Sequence, residues 1–512
     1  MTNHLFDGLM GQADPARRFA RIPGEDGAAE RHYAYAHLDT VSARFANRLV
    51  ALGLKPGDRV AVQAPKSLEA LVLYLGVVRA GGVFLPLNTA YTPSEVEYFL
   101  RDATPRVFVC DPGDADGYAP LCAELGAACE TMGVWRDPQT FAGTLLADAE
   151  GHPETFDTVA RGPNDLAAIL YTSGTTGRSK GAMLSHENLL SNARTLAECW
   201  RFTRDDVLIH ALPIFHTHGL FVATNVTLVA GAQLVWLPAF STDVVLREMR
   251  HATTLMGVPT FYTRLLDDAR FTREAAAGMR LFVSGSAPLL AETHRAFEAR
   301  TGSRILERYG MTETNMNTSN PYEGERRAGT VGLPLPGIEV KVCDDGGNEL
   351  PRGQTGIIEV RGPNVFQGYW QMPQRTAEEL RPDGFFITGD NAVQSEDGYV
   401  TIVGRAKDLI ISGGYNIYPK EIELLLDEHP AVKESAVVGA PHPDFGESVV
   451  AVLVPAGGAA CDGDAVLASL EGRLARFKRP RAVFVVDELP RNTMGKVQKN
   501  ALRERYARVF AK

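Results

Sequence analysis

Lys180 closes a run of small hydroxyl residues and glycines, Tyr171-Thr-Ser-Gly-Thr-Thr-Gly-Arg-Ser-Lys-Gly181. That combination suits a polyphosphate. Gly174 and Gly177 let the backbone turn sharply and bring its N–H groups close to an anion. Thr172, Ser173, Thr175 and Thr176 add hydroxyl donors, and Lys180 adds charge. The Gly-Lys-Ser/Thr triplet that ends a Walker A loop is missing. A surface loop can share this composition, but the apolar run Leu166–Leu170 before it and the lysine after it favour the phosphate reading. A second constellation is Glu307-Arg-Tyr-Gly-Met-Thr-Glu-Thr314. Tyr309 can stack on a base, Thr312 can donate to a phosphate, and Glu313 can hold Mg²⁺ through oxygen. Asp390, in Thr388-Gly-Asp390, can accept both hydroxyls of a ribose or be an ordinary turn residue. His216 and His218 flank Thr217 just past a strand, where open α/β sheets bind ligands. Nothing supplies further zinc ligands at familiar spacing, so His216 reads as a pocket-lining residue. Pro490-Arg-Asn-Thr-Met-Gly-Lys496 is a loop ending in a lysine near the C-terminus.

The elements that position these residues alternate. Helices are predicted near 38–52 and 69–80, and strands at 59–63, 83–87 and 106–110. Thr92-Pro93-Ser94-Glu95 is a capping box with proline at the first helical position. Ser185 is placed to cap a helix near 187–197. After the phosphate loop come strands at 207–212, 233–237, 254–258 and 281–284, with an apolar helix over 220–229. Strands alternating with helices imply a parallel, helix-covered α/β sheet. Residues 329–403, rich in glycine and proline, read as a small β-rich subdomain. From about Gly404 the pattern becomes that of a separate α+β domain. The expected division is therefore an N-terminal core of 1–403 and a C-terminal domain of 404–512.

The 512 residues allow two or more domains. With 45% hydrophobic and 22% charged residues, the composition is that of an ordinary globular chain. A net charge of -10 argues against nucleic acid as a partner. The 6 cysteines form no Cys-x-x-Cys pair and read as reduced thiols. No membrane span and no secretory signal are expected, which points to the cytoplasm.

Taken in order, these motifs resemble the adenylate-forming acyl-CoA synthetase superfamily over nearly the whole chain. The resemblance rests on Tyr171–Gly181, Glu307–Thr314, Thr388–Asp390, Gly404–Glu423 and Pro490–Lys499. It implies a large N-terminal domain of two helix-flanked sheets plus a small barrel-like unit, followed by a mobile lid turning about Lys407. It also implies two half-reactions: a carboxylate and Mg-ATP give an acyl-adenylate and pyrophosphate, then the thiol of coenzyme A displaces AMP. By resemblance ATP falls to Thr172–Gly177, Lys180, Gly285, Ser286, Ala287, Glu307, Arg308, Tyr309, Gly310, Met311, Thr312, Asp390, Arg405 and Lys496. Glu313 takes Mg²⁺, Gly413 and Gly414 line the coenzyme A tunnel, and Lys496, Thr312, Glu313 and His216 are catalytic.

Within that superfamily, His210–Gly219, Met256–Arg264 and Gly310–Thr318 resemble the members that activate malonate. A short diacid needs a small pocket with a cation for its second carboxylate. Arg264 lies in an otherwise apolar segment, 258–266, and is expected to point inward and bind that carboxylate in bidentate fashion; a surface pair with Asp267 or Asp268 is the other outcome. His216 and Ser286 are further candidates for the acyl group, with Thr217 and Met316 bounding the space around C2. Another acyl- or aryl-CoA ligase of the superfamily is the alternative. A regulatory acetyltransferase acting on Lys496 is an expected partner, because neutralising that lysine would stop the first half-reaction.

Overall fold

A computed structural model describes residues 2–24, 29–133, 143–172, 179–405, 408–412, 415–443, 445–457, 461–471, 473–474, 476–492 and 495–511. Among them the strands form four sheets. The first runs 128–131, 107–110, 59–63, 83–86, 166–172, 180–185 across its width. It is parallel except for its last pair. Its strands are short apolar runs such as Val107–Cys110, buried at every residue, as parallel strands covered on both faces must be. The second sheet is larger. At its centre lie 233–236, 207–210, 254–257, 281–284 and 306–311, all parallel, and the hairpin partner 315–319 follows antiparallel.

One continuous apolar core joins the two sheets. The helix Leu68–Arg79 lies within it, with every residue buried, and Ser67 caps it by accepting from the Ala70 N–H. Burial of each leucine and valine contributes roughly 1.5–3 kcal/mol. The capping box is present, with Thr92 and Glu95 each bonding the other's backbone ahead of the helix Pro93–Ala103. Ser185 caps the helix His186–Cys199 as expected. Two local readings change. Residues 180–185 are a strand, antiparallel to 166–172. The apolar helix begins earlier and with a wider turn, as a π-helix over His218–Thr224 that continues as an α-helix, Asn225–Val229. Gly219 permits this: a Cβ there would sit 2.0 Å from the Pro213 carbonyl oxygen.

The β-rich subdomain is an antiparallel sheet of Glu339–Cys343, Thr355–Arg361, Phe386–Gln394 and Val400–Arg405. Its last strand runs to Arg405. The C-terminal domain builds its own sheet, in which Val432–His442 and Gly446–Pro455 pair over their length, with an apolar cluster on each face. Among the described residues no helix is long and apolar enough to cross a membrane, and the six cysteines are free.

Candidate active site

Thr172 pairs directly with Lys180 across the last two strands of the first sheet. Ser173, Gly174, Thr175, Thr176 and Gly177 lie outside the described residues, as do Lys407, Gly413 and Gly414. The flanks are described. Lys180 Nζ is 3.1 Å from both carboxylate oxygens of Glu379 and 4.0 Å from the ring centroid of Tyr369. The Tyr369 hydroxyl lies 3.0 Å from Glu313 Oε1 and 2.5 Å from Glu379 Oε2. Thr172 Oγ1 reaches Glu313 Oε1 at 3.5 Å. Glu313 is held in the turn of the 306–311/315–319 hairpin by its carbonyl, which accepts from the Phe366 N–H at 2.8 Å. Burial raises the Glu313 carboxyl above its ordinary range, opposed by its own backbone and by Lys180. Thr312, beside it, is half-buried.

The second cluster forms where Tyr309 meets the small sheet. Asp390 sits directly across from Arg405 on neighbouring strands, with Arg405 Nε 3.0 Å from Asp390 Oδ1. The Tyr309 hydroxyl donates to Asp390 Oδ2 at 2.6 Å. Asp390 is thus fixed from two sides, with lone pairs remaining for further donors. Glu307, two residues back, accepts from the Leu289 N–H at 3.3 Å. Its other oxygen has no hydrogen-bond partner among the described residues, and burial pushes the carboxyl up to about 8.

Alternation along the strand sends Arg308 to the opposite face. It is 3% exposed, and its Nε and Nη2 have no hydrogen-bond partner among the described residues. Burial lowers its pKa, yet a guanidinium stays charged. It lies against Gly285, where a Cβ would come within 2.3 Å of its Cζ. Next in the chain, Ser286 is held at φ 70°, a left-handed conformation that serine adopts only when the surroundings impose it. Its hydroxyl is 3.1 Å from His218 Nδ1. His216 is half-buried and accepts from the His218 N–H through Nδ1 at 3.3 Å. Burial first, then the charges of Arg308 and Lys496, hold its imidazole down to about 4, so it is neutral at pH 7. Thr217 donates to Asn315 Oδ1 at 2.9 Å. Met316 is clamped by Asn192, which bonds both its N–H and its carbonyl at 3.2 and 2.8 Å.

Arg264 does not join this pocket. It lies on the exposed side of the helix Pro259–Asp267, whose buried residues are Phe261, Tyr262 and Leu265. The expectation that it points inward is not met; the arginine buried beside His216 and Gly285 is Arg308. Lys496 does arrive. Its loop folds back on itself, the Asn492 N–H donating to the Lys496 carbonyl at 2.9 Å and the Lys496 N–H to Asn492 Oδ1 at 2.9 Å. Gly495 rests against the second sheet's side of the cleft, where a Cβ would be 3.5 Å from Thr260 Oγ1. His216, Arg308 and Lys496 therefore converge from a turn, a strand and the C-terminal domain.

Tyr369 and Glu379 are site residues that sequence reasoning passed over. Tyr369 carries no charge and Glu379 sits in an unremarkable acidic pair with Glu378; only the fold brings them to Lys180 and Glu313. Among the described residues no three His, Cys, Asp or Glu side chains cluster to hold a metal ion. A single carboxylate beside a phosphate loop fits Mg²⁺, which takes one or two protein carboxylates and completes its shell with substrate phosphate and water.

Known proteins agree with this architecture. Residues 14–370 match the AMP-binding enzyme family and 421–496 its C-terminal domain. The chain is 35% identical over 488 residues to a malonate–CoA ligase of Arabidopsis thaliana, covering 88% of this chain and 78% of that one. It is 36% identical over 500 residues to a feruloyl-CoA synthase of an Amycolatopsis species, covering 96% and 98%. Against MatB from Rhodopseudomonas palustris, at 58% identity over all of both chains, the TM-score is 0.96 for the ATP-bound crystal structure and 0.85 for the apo form. With both of its domains matched in sequence order, and the Tyr309–Asp390–Arg405 cluster and the C-terminal Lys496 carried by those two domains in turn, the chain belongs to the AMP-binding enzyme family.

Proposed function

We propose that this chain ligates malonate to coenzyme A, using ATP and passing through malonyl-adenylate. The observation that carries the choice of acid is Arg308, a buried guanidinium with no carboxylate partner among the described residues, beside His216 and Ser286. A buried, uncompensated charge of this kind is strongly unfavourable, and the free carboxylate of a short diacid would satisfy it bidentately. A fatty acid would need a long apolar channel instead. Thr217 and Met316, both buried and both held by asparagines, leave little freedom around C2; methylmalonate is the substituted acid that tests that space.

The residues then divide the work. The carboxylate not held by Arg308 faces the α-phosphate of ATP, whose ribose hydroxyls donate to Asp390 beside Arg405 and whose base lies against Tyr309. Thr172, the loop after it and Lys180 take the β- and γ-phosphates, with Thr312 at the reacting phosphate. Mg²⁺ on Glu313 supplies charge neutralisation when bound. In-line attack on the α-phosphate builds negative charge on its oxygens and on the departing pyrophosphate, and Lys496 supports that charge in a site closed to water. The better match to the ATP-bound than to the apo form of MatB supports this orientation of the lid. Coenzyme A then attacks the acyl carbonyl and AMP leaves; Gly413 and Gly414 are the proposed tunnel residues and Lys407 the proposed hinge. The enzyme is placed in the cytoplasm, with Lys496 the residue a regulatory acetyltransferase would modify.

Pyrophosphate release with ATP, Mg²⁺ and coenzyme A, measured across malonate, methylmalonate, acetate, octanoate, benzoate and ferulate, tests the reading. Malonate is expected to exceed the monocarboxylates by at least 100-fold in kcat/KM, the discrimination of a buried charge left unpaired, about 3 kcal/mol or more. Ferulate or benzoate above malonate would assign the chain to the aryl-CoA ligases of the family.

A further inference from the structure

Lys180 is already paired. Its ammonium meets both oxygens of Glu379 at 3.1 Å and stands over the Tyr369 ring at 4.0 Å. Both charged side chains are largely shielded, at 12% and 17% exposure. A lysine that grips the β- and γ-phosphates of ATP must give up some of this pairing to do so. The arrangement around Glu379 makes that exchange mild. Arg375, four residues earlier on the helix Pro373–Glu379, sits 2.5 Å from Glu379 Oε1. The Tyr369 hydroxyl is 2.5 Å from Oε2. Glu379 therefore keeps a cation and a hydroxyl donor after Lys180 has gone, and no carboxylate is stranded without a partner.

We infer that Glu379 is an internal competitor for the phosphate-loop lysine: it occupies Lys180 when no nucleotide is bound, yields it to the triphosphate, and reclaims it as pyrophosphate leaves. The inference rests on the reading of Lys180 as a polyphosphate ligand. Its physical content is an exchange of one anion for another at a single ammonium. ATP binding is weakened by the strength of the Lys180–Glu379 pair, and pyrophosphate departure is helped by the same amount. A carboxylate waiting at the lysine keeps tightly bound pyrophosphate from stalling the cycle. Glu379 touches neither the acyl group nor the α-phosphate in this scheme and acts through Lys180. It is a positioning residue whose effect is an affinity, not a bond-making step.

The test is a double-mutant cycle on nucleotide binding. Affinity for Mg²⁺ with an α,β-methylene analogue of ATP is measured by calorimetry, with no carboxylic acid and no coenzyme A, for the wild-type chain, Glu379→Gln, Lys180→Ala and the double variant. Glutamine is isosteric: its amide oxygen can still accept from Arg375, and its NH2 can donate to the Tyr369 hydroxyl oxygen. Competition predicts that Glu379→Gln binds the analogue roughly three- to tenfold more tightly, the range of a part-shielded ion pair removed from the unliganded state. It also predicts tighter pyrophosphate inhibition, with KM for malonate unchanged. In the Lys180→Ala background the same substitution is expected to change nothing. Weaker binding by Glu379→Gln would overturn the inference and make Glu379 a support for the lysine or a ligand of the metal. Unchanged affinity would overturn it too. Tightening that persists without Lys180 would reduce the effect to a generic loss of negative charge, and would also overturn it. Lys180→Ala alone reports separately on the underlying reading: a variant that binds the analogue as well as wild type would remove Lys180 from the phosphate site altogether.

Discussion

At the scale of the residue, the choice of substrate turns on which arginine is inside. Arg264 stands in a stretch that resembles malonate-activating enzymes and has apolar neighbours, whereas Arg308 stands in the Glu307–Thr314 motif of the wider superfamily. The helix of Arg264 explains its exposure. Phe261, Tyr262 and Leu265 are the buried stripe, recurring at the three- and four-residue spacing of one helix face, and Arg264 falls off that stripe. This much was legible in the residues. The burial of Arg308 was not, because Glu307 and Arg308 are consecutive in a strand and point to opposite faces; both are buried only because other elements cover the sheet on each side. Arg308→Met, which keeps length and apolar bulk, is expected to lower kcat/KM for malonate by about 10² to 10³, the 2–5 kcal/mol lost when one partner of a buried charge pair is removed. Binding of ATP in the absence of malonate is expected to change by less than threefold. A malonate kcat/KM within a factor of three of wild type would remove Arg308 from the acyl pocket.

At the scale of the element, the two lysines of the site come from different bodies. Lys180 is on a strand of the core and Lys496 on a hairpin-like loop of the C-terminal domain, held in shape by Asn492. If the loop serves only adenylate formation, Lys496→Ala is expected to reduce pyrophosphate release by 10²-fold or more while leaving thioester formation from supplied malonyl-adenylate within about threefold. Enzymatic acetylation of Lys496 is expected to give the same split. Equal loss in both half-reactions would instead make Lys496 a structural residue of the closed state. The motif order made this loop visible in the sequence. The antiparallel pairing of 180–185 with 166–172 was not: hydroxyls and glycines followed by a capped helix read as strand, loop and helix, and the short strand 180–185 between them has no strong β pattern, Lys-Gly-Ala-Met-Leu-Ser. That strand sets Lys180 opposite Thr172 and so brings it to Glu379.

At the scale of the whole molecule, several buried groups tie stability to pH. His210, His216 and His218 are held neutral by burial, His216 down to about 4. As pH falls below about 6.5 the unfolded chain takes up protons that the native state refuses, so stability is lost on the acid side. Glu307 and, in the C-terminal domain, Asp427 act the other way, burial raising them to about 8 and about 7. The unfolded chain releases these protons first, so stability falls as pH rises from about 4.5 to 8. Between pH 6.5 and 8 the histidines no longer contribute. The thermal midpoint of the wild-type protein is therefore expected to decline across that window, and Glu307→Gln to flatten the decline measured by differential scanning calorimetry. An unaltered slope in that variant would show that Glu307 is ionised throughout. A smaller domain following a large one was readable from the change in strand and helix pattern, whereas these titrations depend on what packs over each group.

The strand Val400–Arg405 ends the core, and its last residue is the partner of Asp390. If a ribose holds that pair, the nucleotide stiffens the strand end from which the second domain departs. On that reading the bound nucleotide acts as a splint: with its ribose seated on Asp390 and Arg405, the end of this strand would be held more firmly than in the free chain.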